Sequence, residues 1–212
     1  MEALIRSVTE VASVPLVPEV RLHLLMPSHA LWRASPDEAK AHGLDMPYWA
    51  FAWPGGQALA RWVLDNGDSV RGKRVLDVGS GGAIEGVAAA LRGAHVTCVD
   101  VDAVADVCAQ LNANENGVSL ETLTVDPLSR AADAFDCDVV LVGDLTFDEA
   151  ITARLLPWLE AHHALGRLVL VGDAGRVPMP SRFEVVGSFT APFDGNPEGS
   201  TNWTVQVRRL RS

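Results

Sequence analysis

The chain has 212 residues, with 27 acidic against 17 basic side chains and a formal net charge of −10. That length holds one α/β domain with a full core and leaves no room for two comfortable ones. The acid surplus argues against a phosphate-backbone partner, which needs clustered Lys and Arg, and no apolar run is long enough to span a membrane.

Residues before about Trp32 are less regular and are expected to form an N-terminal extension packed on a sheet. The extension is taken as about residues 1–45, with a core over 46–212. Glu2 and Glu10 around a lone Arg6 do not resemble a signal or transit peptide. An aromatic run, Pro47-Tyr48-Trp49-Ala50-Phe51-Ala52-Trp53, then precedes Pro54-Gly55-Gly56 and an amphipathic helix over 57–64. Tyr48, Trp49 and Phe51 are expected in the core. Trp53 is expected on irregular backbone, where an indole makes a wall for a flat ligand or an aliphatic chain.

Arg74-Val75-Leu76-Asp77-Val78 reads as a buried strand that runs into the turn Gly79-Ser80-Gly81-Gly82-Ala83, followed by a helix over 84–92. A second apolar run, His95-Val96-Thr97-Cys98-Val99, ends on Asp100. This is the layout of a nucleotide-binding βαβ unit, with glycines that let backbone approach a ligand and an acid for the ribose hydroxyls. A dinucleotide site needs a third glycine where Ile84 stands, and Glu85 would meet a phosphate with like charge. S-adenosylmethionine has no phosphate, and the D-x-G-x-G from Asp77 to Gly81 resembles the first motif of class I methyltransferases. A turn of this kind that binds nothing is the alternative.

Downstream, a helix runs from near Asp102 to the polar stretch at 112–117. Strands are expected over 120–125, 138–144 and 167–171, with a helix over 148–163 containing Pro157. Two strands without an intervening helix, 183–190 and 202–209, close the chain around a turn-rich stretch containing Gly195, Asn196, Pro197 and Gly199. Alternating β and α with a terminal strand pair predicts a Rossmann-like seven-stranded α/β sheet, mostly parallel with an antiparallel last strand and helices on both faces. Asp77, Asp100, Asp126 and Asp144 fall at or near strand ends, so they are expected on one rim. Asp100 would take the ribose and Asp126 the adenine amino group, with Asp77 near the methionine moiety. Asp126 before Pro127 reads equally well as a cap. Cys98, Cys108 and Cys137 form no C-x-x-C pair, which fits a reducing, cytoplasmic setting, and no metal-ligand constellation is present.

Several longer motifs are more specific than the glycine turn. Pro18-Glu19-Val20-Arg21-Leu22, Trp53-Pro54-Gly55-Gly56-Gln57-Ala58-Leu59, Asp144-Leu145-Thr146-Phe147-Asp148, Gly172-Asp173-Ala174-Gly175-Arg176 and Ser200-Thr201-Asn202-Trp203 occur in that order. With the glycine turn, they resemble the pattern of the electron transfer flavoprotein β-subunit lysine methyltransferases over most of the chain. The resemblance implies S-adenosylmethionine as cofactor and that flavoprotein subunit as protein substrate. It also implies a cofactor site of Trp53, Asp77, Gly79, Ser80, Gly81, Asp100 and Asp126, with Asp144 and Phe147 as catalytic candidates beside the incoming lysine. Three positions depart from the family: Ala83 and Ala174 replace a glycine and a proline, and Glu85 stands where a small or neutral residue is usual. Ala83 is tolerable if its φ is negative, and Glu85 is expected near the methionine carboxylate unless it points to solvent. A small-molecule N-methyltransferase and a non-catalytic cofactor-binding module are the alternatives.

Overall fold

Val139, Val140, Leu141 and Val142 form an unbroken apolar run, and all four are fully buried because helices cover both faces of their strand. Residues 1–41, 46–193 and 202–211 are described by the structure, a computed structural model. Ahead of the main sheet come helix α1 (Glu2–Val8), the hairpin strands β1 (Glu10–Val14) and β2 (Val17–Leu24), and the short helix α2 (Pro36–Ala41). Helix α3 (Pro54–Asp65) follows, then strand β3 (Arg74–Val78), helix α4 (Ile84–Leu91), strand β4 (His95–Asp100), helix α5 (Ala103–Glu115) and strand β5 (Glu121–Thr124). Strand β6 (Val139–Gly143), helix α6 (Glu149–Ala164), and strands β7 (Leu168–Asp173), β8 (Phe183–Pro192) and β9 (Asn202–Leu210) complete the order.

The seven-stranded sheet runs β5-β4-β3-β6-β7-β9-β8. Every pairing is parallel except the two made by β9, which inserts antiparallel between β7 and β8. Strand order reverses between β3 and β6, so the crevice beyond their carboxyl ends is the expected ligand position in an open α/β sheet. Alternation along the strands builds two cores. Val75, Val139, Leu141 and Leu170 pack with α3 and α4, while Leu76, Val140, Val142, Val169 and Val171 pack with Leu155 and Leu159 of α6. Asp102 and Asp148 cap α5 and α6, as their positions ahead of helical runs predict.

The N-terminal extension differs from the expectation. It is a regular hairpin, and it packs on helices rather than on the sheet. Val14, Val17, Val20 and Leu22 are buried in the same cluster as Leu59, Val63 and Val87 of α3 and α4. The free edge of β2 is completed by side-chain amides from α5. Asn112 Oδ1 accepts the His23 N–H at 2.7 Å, and Asn116 bonds both the N–H and the carbonyl of Arg21. The polar stretch that reads as a helix end is therefore also a docking edge. Residues 194–201, with the glycines and proline of the last loop and the Ser200-Thr201 pair, lie outside the described residues.

Candidate active site

Helices α3 and α4 both begin without a side-chain cap of their own, since Trp53 and Ala83 occupy the two cap positions. Their first amides are instead satisfied by acids from β3 and from the segment just after β6. Asp77 Oδ2 accepts the Gly86 N–H at 2.9 Å, and Asp144 Oδ2 accepts from Gly55 and, at 3.2 Å, from Gly56. An acid facing a helix N-terminus also meets the positive end of its dipole. Two of the four rim acids are thus turned back under the helices that frame the rim.

Asp77 has no solvent exposure and lies on the same face of β3 as Val75, beneath α4. In this arrangement it holds the first turn of α4 and has no exposed surface to offer a ligand. Burial pushes its carboxyl up to about 7, and Asp100 adds to the rise. Glu85 also departs from expectation, pointing neither at the rim nor to solvent. It is buried between α4, Gly56 and Gly143, and burial followed by repulsion from Asp77 holds its carboxyl well above the usual range. Burial thus opposes a negative charge at Glu85. Ala83 sits at φ 58, in the left-handed region, so the negative φ that would make the alanine harmless is not what the fold adopts. Such a conformation costs an L-residue with a Cβ about 1–2 kcal/mol.

The turn itself carries Gly79 at φ 65 and Gly81 at φ 49, so the backbone curls in a way that glycine adopts freely. Ser80 Oγ is buried there without a partner among the described residues. Asp100, half-buried at the end of β4, accepts the Gly81 N–H at 2.8 Å and the Asp102 N–H at 3.0 Å. A carboxylate has about four acceptor positions, so two remain for hydroxyls. Asp126 caps the turn at Pro127–Ser129 by accepting the Leu128 N–H, and its other oxygen pairs with Arg154. The cap is present, and each Asp126 oxygen keeps an acceptor position beyond the bond it makes. The unpaired Ser80 hydroxyl and the open lone pairs of Asp100 around a left-handed glycine turn fit a nucleoside with free ribose hydroxyls.

The segment that carries Asp144 lies against this turn. A Cβ placed on Gly79 would fall 2.7 Å from Leu145 Cδ1, so the segment after β6 leans directly on the glycine turn. Asp144 in that segment has φ 55 and is almost wholly buried, its Oδ1 accepting from Arg176 Nη1 at 2.7 Å. Burial raises the Asp144 carboxyl, and the Arg176 charge opposes that rise most strongly. Phe147 is 50% exposed beside it, and Trp53 is half-buried with its indole N–H on the Tyr48 carbonyl at 2.9 Å. Trp53 packs at a tilt against Phe51 and Phe193, at 5.4 and 5.1 Å between ring centroids. Trp49 and Phe51 are core residues as expected, but Tyr48 is 58% exposed and belongs to the rim. Arg176 and Trp203 receive no role in the sequence reading, although both lie in motifs it singles out.

A reversed strand order over a glycine turn, an acid at the next strand end and an inserted antiparallel strand define a class I methyltransferase core. A magnesium protoporphyrin IX methyltransferase from Synechocystis, solved with S-adenosylmethionine bound, shares this fold at TM-score 0.54 and 16% identity, covering 73% of this chain and 76% of that one. A family model described as lysine methyltransferase matches residues 49–183. The rat electron transfer flavoprotein β-subunit lysine methyltransferase is 41% identical over 180 residues, 83% of this chain and 69% of that protein. A homologue in Caenorhabditis elegans is 33% identical over 81% of this chain and 75% of its own length. The chain belongs to the lysine methyltransferase family, and its methyl donor is S-adenosylmethionine.

Proposed function

We propose that this chain methylates a lysine on the β subunit of an electron transfer flavoprotein, with the acceptor entering at the rim made by Asp144, Phe147 and Trp53. Support for the partner comes from relatives that carry that name at 41% and 33% identity. Support for the location comes from one observation above all, the contact of Leu145 with Gly79, which sets the Asp144 segment against the cofactor turn. The net charge of −10 favours approach of a lysine-bearing surface, at a rate that falls as salt rises.

Gly79, Ser80 and Gly81 would hold the cofactor by backbone and hydroxyl contacts, Asp100 its ribose, and Asp126 its adenine amino group. Trp53 would form the wall over it. Bound there, the cofactor supplies an electrophilic methyl group on a sulfonium. The protein's part is to bring a neutral amine into line with that methyl and to exclude water, which is where positioned reactions gain most. Asp144 would stabilise the positive charge that grows on nitrogen. It would not deprotonate the lysine, because a nearby carboxylate favours the ammonium. The proton therefore leaves to water before the amine is enclosed.

Incubating the protein with S-adenosylmethionine and the purified flavoprotein subunit, then mapping peptides by mass spectrometry, tests the assignment. Methyl additions confined to lysine are expected. An unmodified flavoprotein alongside methylation of free amines would move the activity to small molecules, and methylation of a different protein would keep the chemistry and discard the partner.

A further inference from the structure

Four sequence motifs meet at one cation. Arg176, in the run after β7, donates from Nη1 to Asp144 Oδ1 at 2.7 Å, while its guanidinium carbon lies 4.7 Å from the ring centroid of Trp203, near the start of β9. Asp144 in turn holds Gly55 and Gly56 at the start of α3. The backbone that presents the arginine is itself fixed. Asp173 Oδ1 accepts the Gly175 N–H at 2.8 Å, and Asp173 Oδ2 pairs with Arg208 Nε on β9 at 2.7 Å. The W-P-G-G, D-x-x-F, G-D-x-G-R and N-W segments are thus four sides of a single arrangement.

We propose that Arg176 is a positioning residue for methyl transfer, acting through Asp144 and braced by Trp203. The inference rests on the reading that Asp144 serves the acceptor amine. Only 9% of the Asp144 side chain reaches solvent, so an uncompensated carboxylate there would take up a proton and lose the charge that the reaction uses. Arg176 supplies the compensating charge. By engaging Oδ1 while the α3 amides engage Oδ2, it also fixes the rotation of the carboxyl group. Among the described residues, Glu85 of α4 faces Asp144 with Asp77 of β3 behind it, and burial drives both toward the neutral form, while Asp173 of β7 is matched by Arg208 of β9. Helix α3 offers Asp144 only its amides. No other cation bonds Asp144 among the described residues. Stacking on Trp203 restricts the guanidinium to one side of the acid, a role that an aromatic face performs for arginine better than for lysine.

The test uses the full chain as Arg176→Gln, Arg176→Lys and Trp203→Leu. Affinity for S-adenosylhomocysteine is measured by calorimetry, and kcat on the protein acceptor is measured against pH as a ratio to the parent, which cancels the ionisation of the lysine itself. Arg176→Gln should bind the nucleoside within about threefold of the parent, with a kcat ratio below about one tenth at mildly acid pH that climbs as Asp144 ionises. Arg176→Lys should give a flat ratio within a few-fold of one. Trp203→Leu keeps both charges, and should lower kcat about three- to tenfold without moving the pH dependence. An Arg176→Gln ratio near one, or low and independent of pH, overturns the proposal, as does parental kcat in Trp203→Leu. Asp144→Asn separates the two layers of the argument. Normal turnover in that variant removes Asp144 itself, whereas impaired turnover there with an unaffected Arg176→Gln removes Arg176 alone.

Discussion

Each rim acid that reads from the sequence as a ligand group is, in the structure, bonded to backbone amides. The sequence places these residues well and their side-chain directions poorly, because strand position fixes a carboxylate to one face but does not say whether a helix N-terminus waits there. Asp77 is the clearest case, facing α4 with no exposure. Glu85 is the least legible residue, since its neighbours Gly56 and Gly143 come from distant segments. Its burial has a measurable consequence. The folded carboxyl holds its proton well above the unfolded value of 4.5, so below that pH its contribution is unaffected and above it the fold loses stability as the pH climbs toward the folded value. Glu85→Gln removes the titration and keeps the shape. The stability gap between variant and parent should therefore widen in favour of the variant from about pH 4.5 upward, measured by urea unfolding at several pH values. A gap that stays constant with pH would mean that Glu85 is not held neutral.

Among the elements, α3 carries the most information and was only partly legible. Its apolar face over 57–64 is plain in the sequence, but the helix begins earlier, at Pro54, because Asp144 caps Gly55 and Gly56 from the segment after β6. The proline fits a first helical position, and the glycines serve proximity rather than a loop. A Cβ on Gly55 would lie 2.5 Å from both Asp144 Oδ2 and the Gly172 carbonyl oxygen, and neither can retreat without breaking the contact between α3 and β7. Gly55→Ala should lower stability by about 2–3 kcal/mol in denaturant titrations. Gly117→Ala is the reference, because its Cβ meets nothing within 4 Å and only the positive φ of 65 resists it. That change should cost about 1 kcal/mol. Equal costs at the two sites would show that α3 does not approach β7 as closely as described.

Across the chain, alternating strands and helices followed by a terminal strand pair are enough to give a mostly parallel sheet with an antiparallel last strand, while the strand order and the placing of β9 between β7 and β8 depend on long-range pairing that local pattern does not encode. The hairpin at the N-terminus was not recognised, because Pro15 and Pro18 argue against strands and the helices that receive it come much later in sequence. It is nonetheless part of the core: Leu22 is 1% exposed, and Leu22→Ala should destabilise the whole fold by about 2–4 kcal/mol, read as a single cooperative transition. A loss below about 0.5 kcal/mol would make the hairpin a detachable appendage. The same long-range convergence explains why Asp144 is the point where α3, β6 and the turns after β7 are tied together. Asp144→Asn keeps the size of the side chain, and asparagine tolerates the left-handed backbone at φ 55. Its Nδ2 would face either Arg176 or the α3 amides, so turnover on the acceptor and affinity for S-adenosylhomocysteine are measured on a preparation whose urea unfolding is also recorded, which separates a chemical loss from a loosened fold. Affinity within about twofold of the parent with kcat down by about a hundredfold is expected if Asp144 serves the acceptor, and unchanged kcat would contradict it.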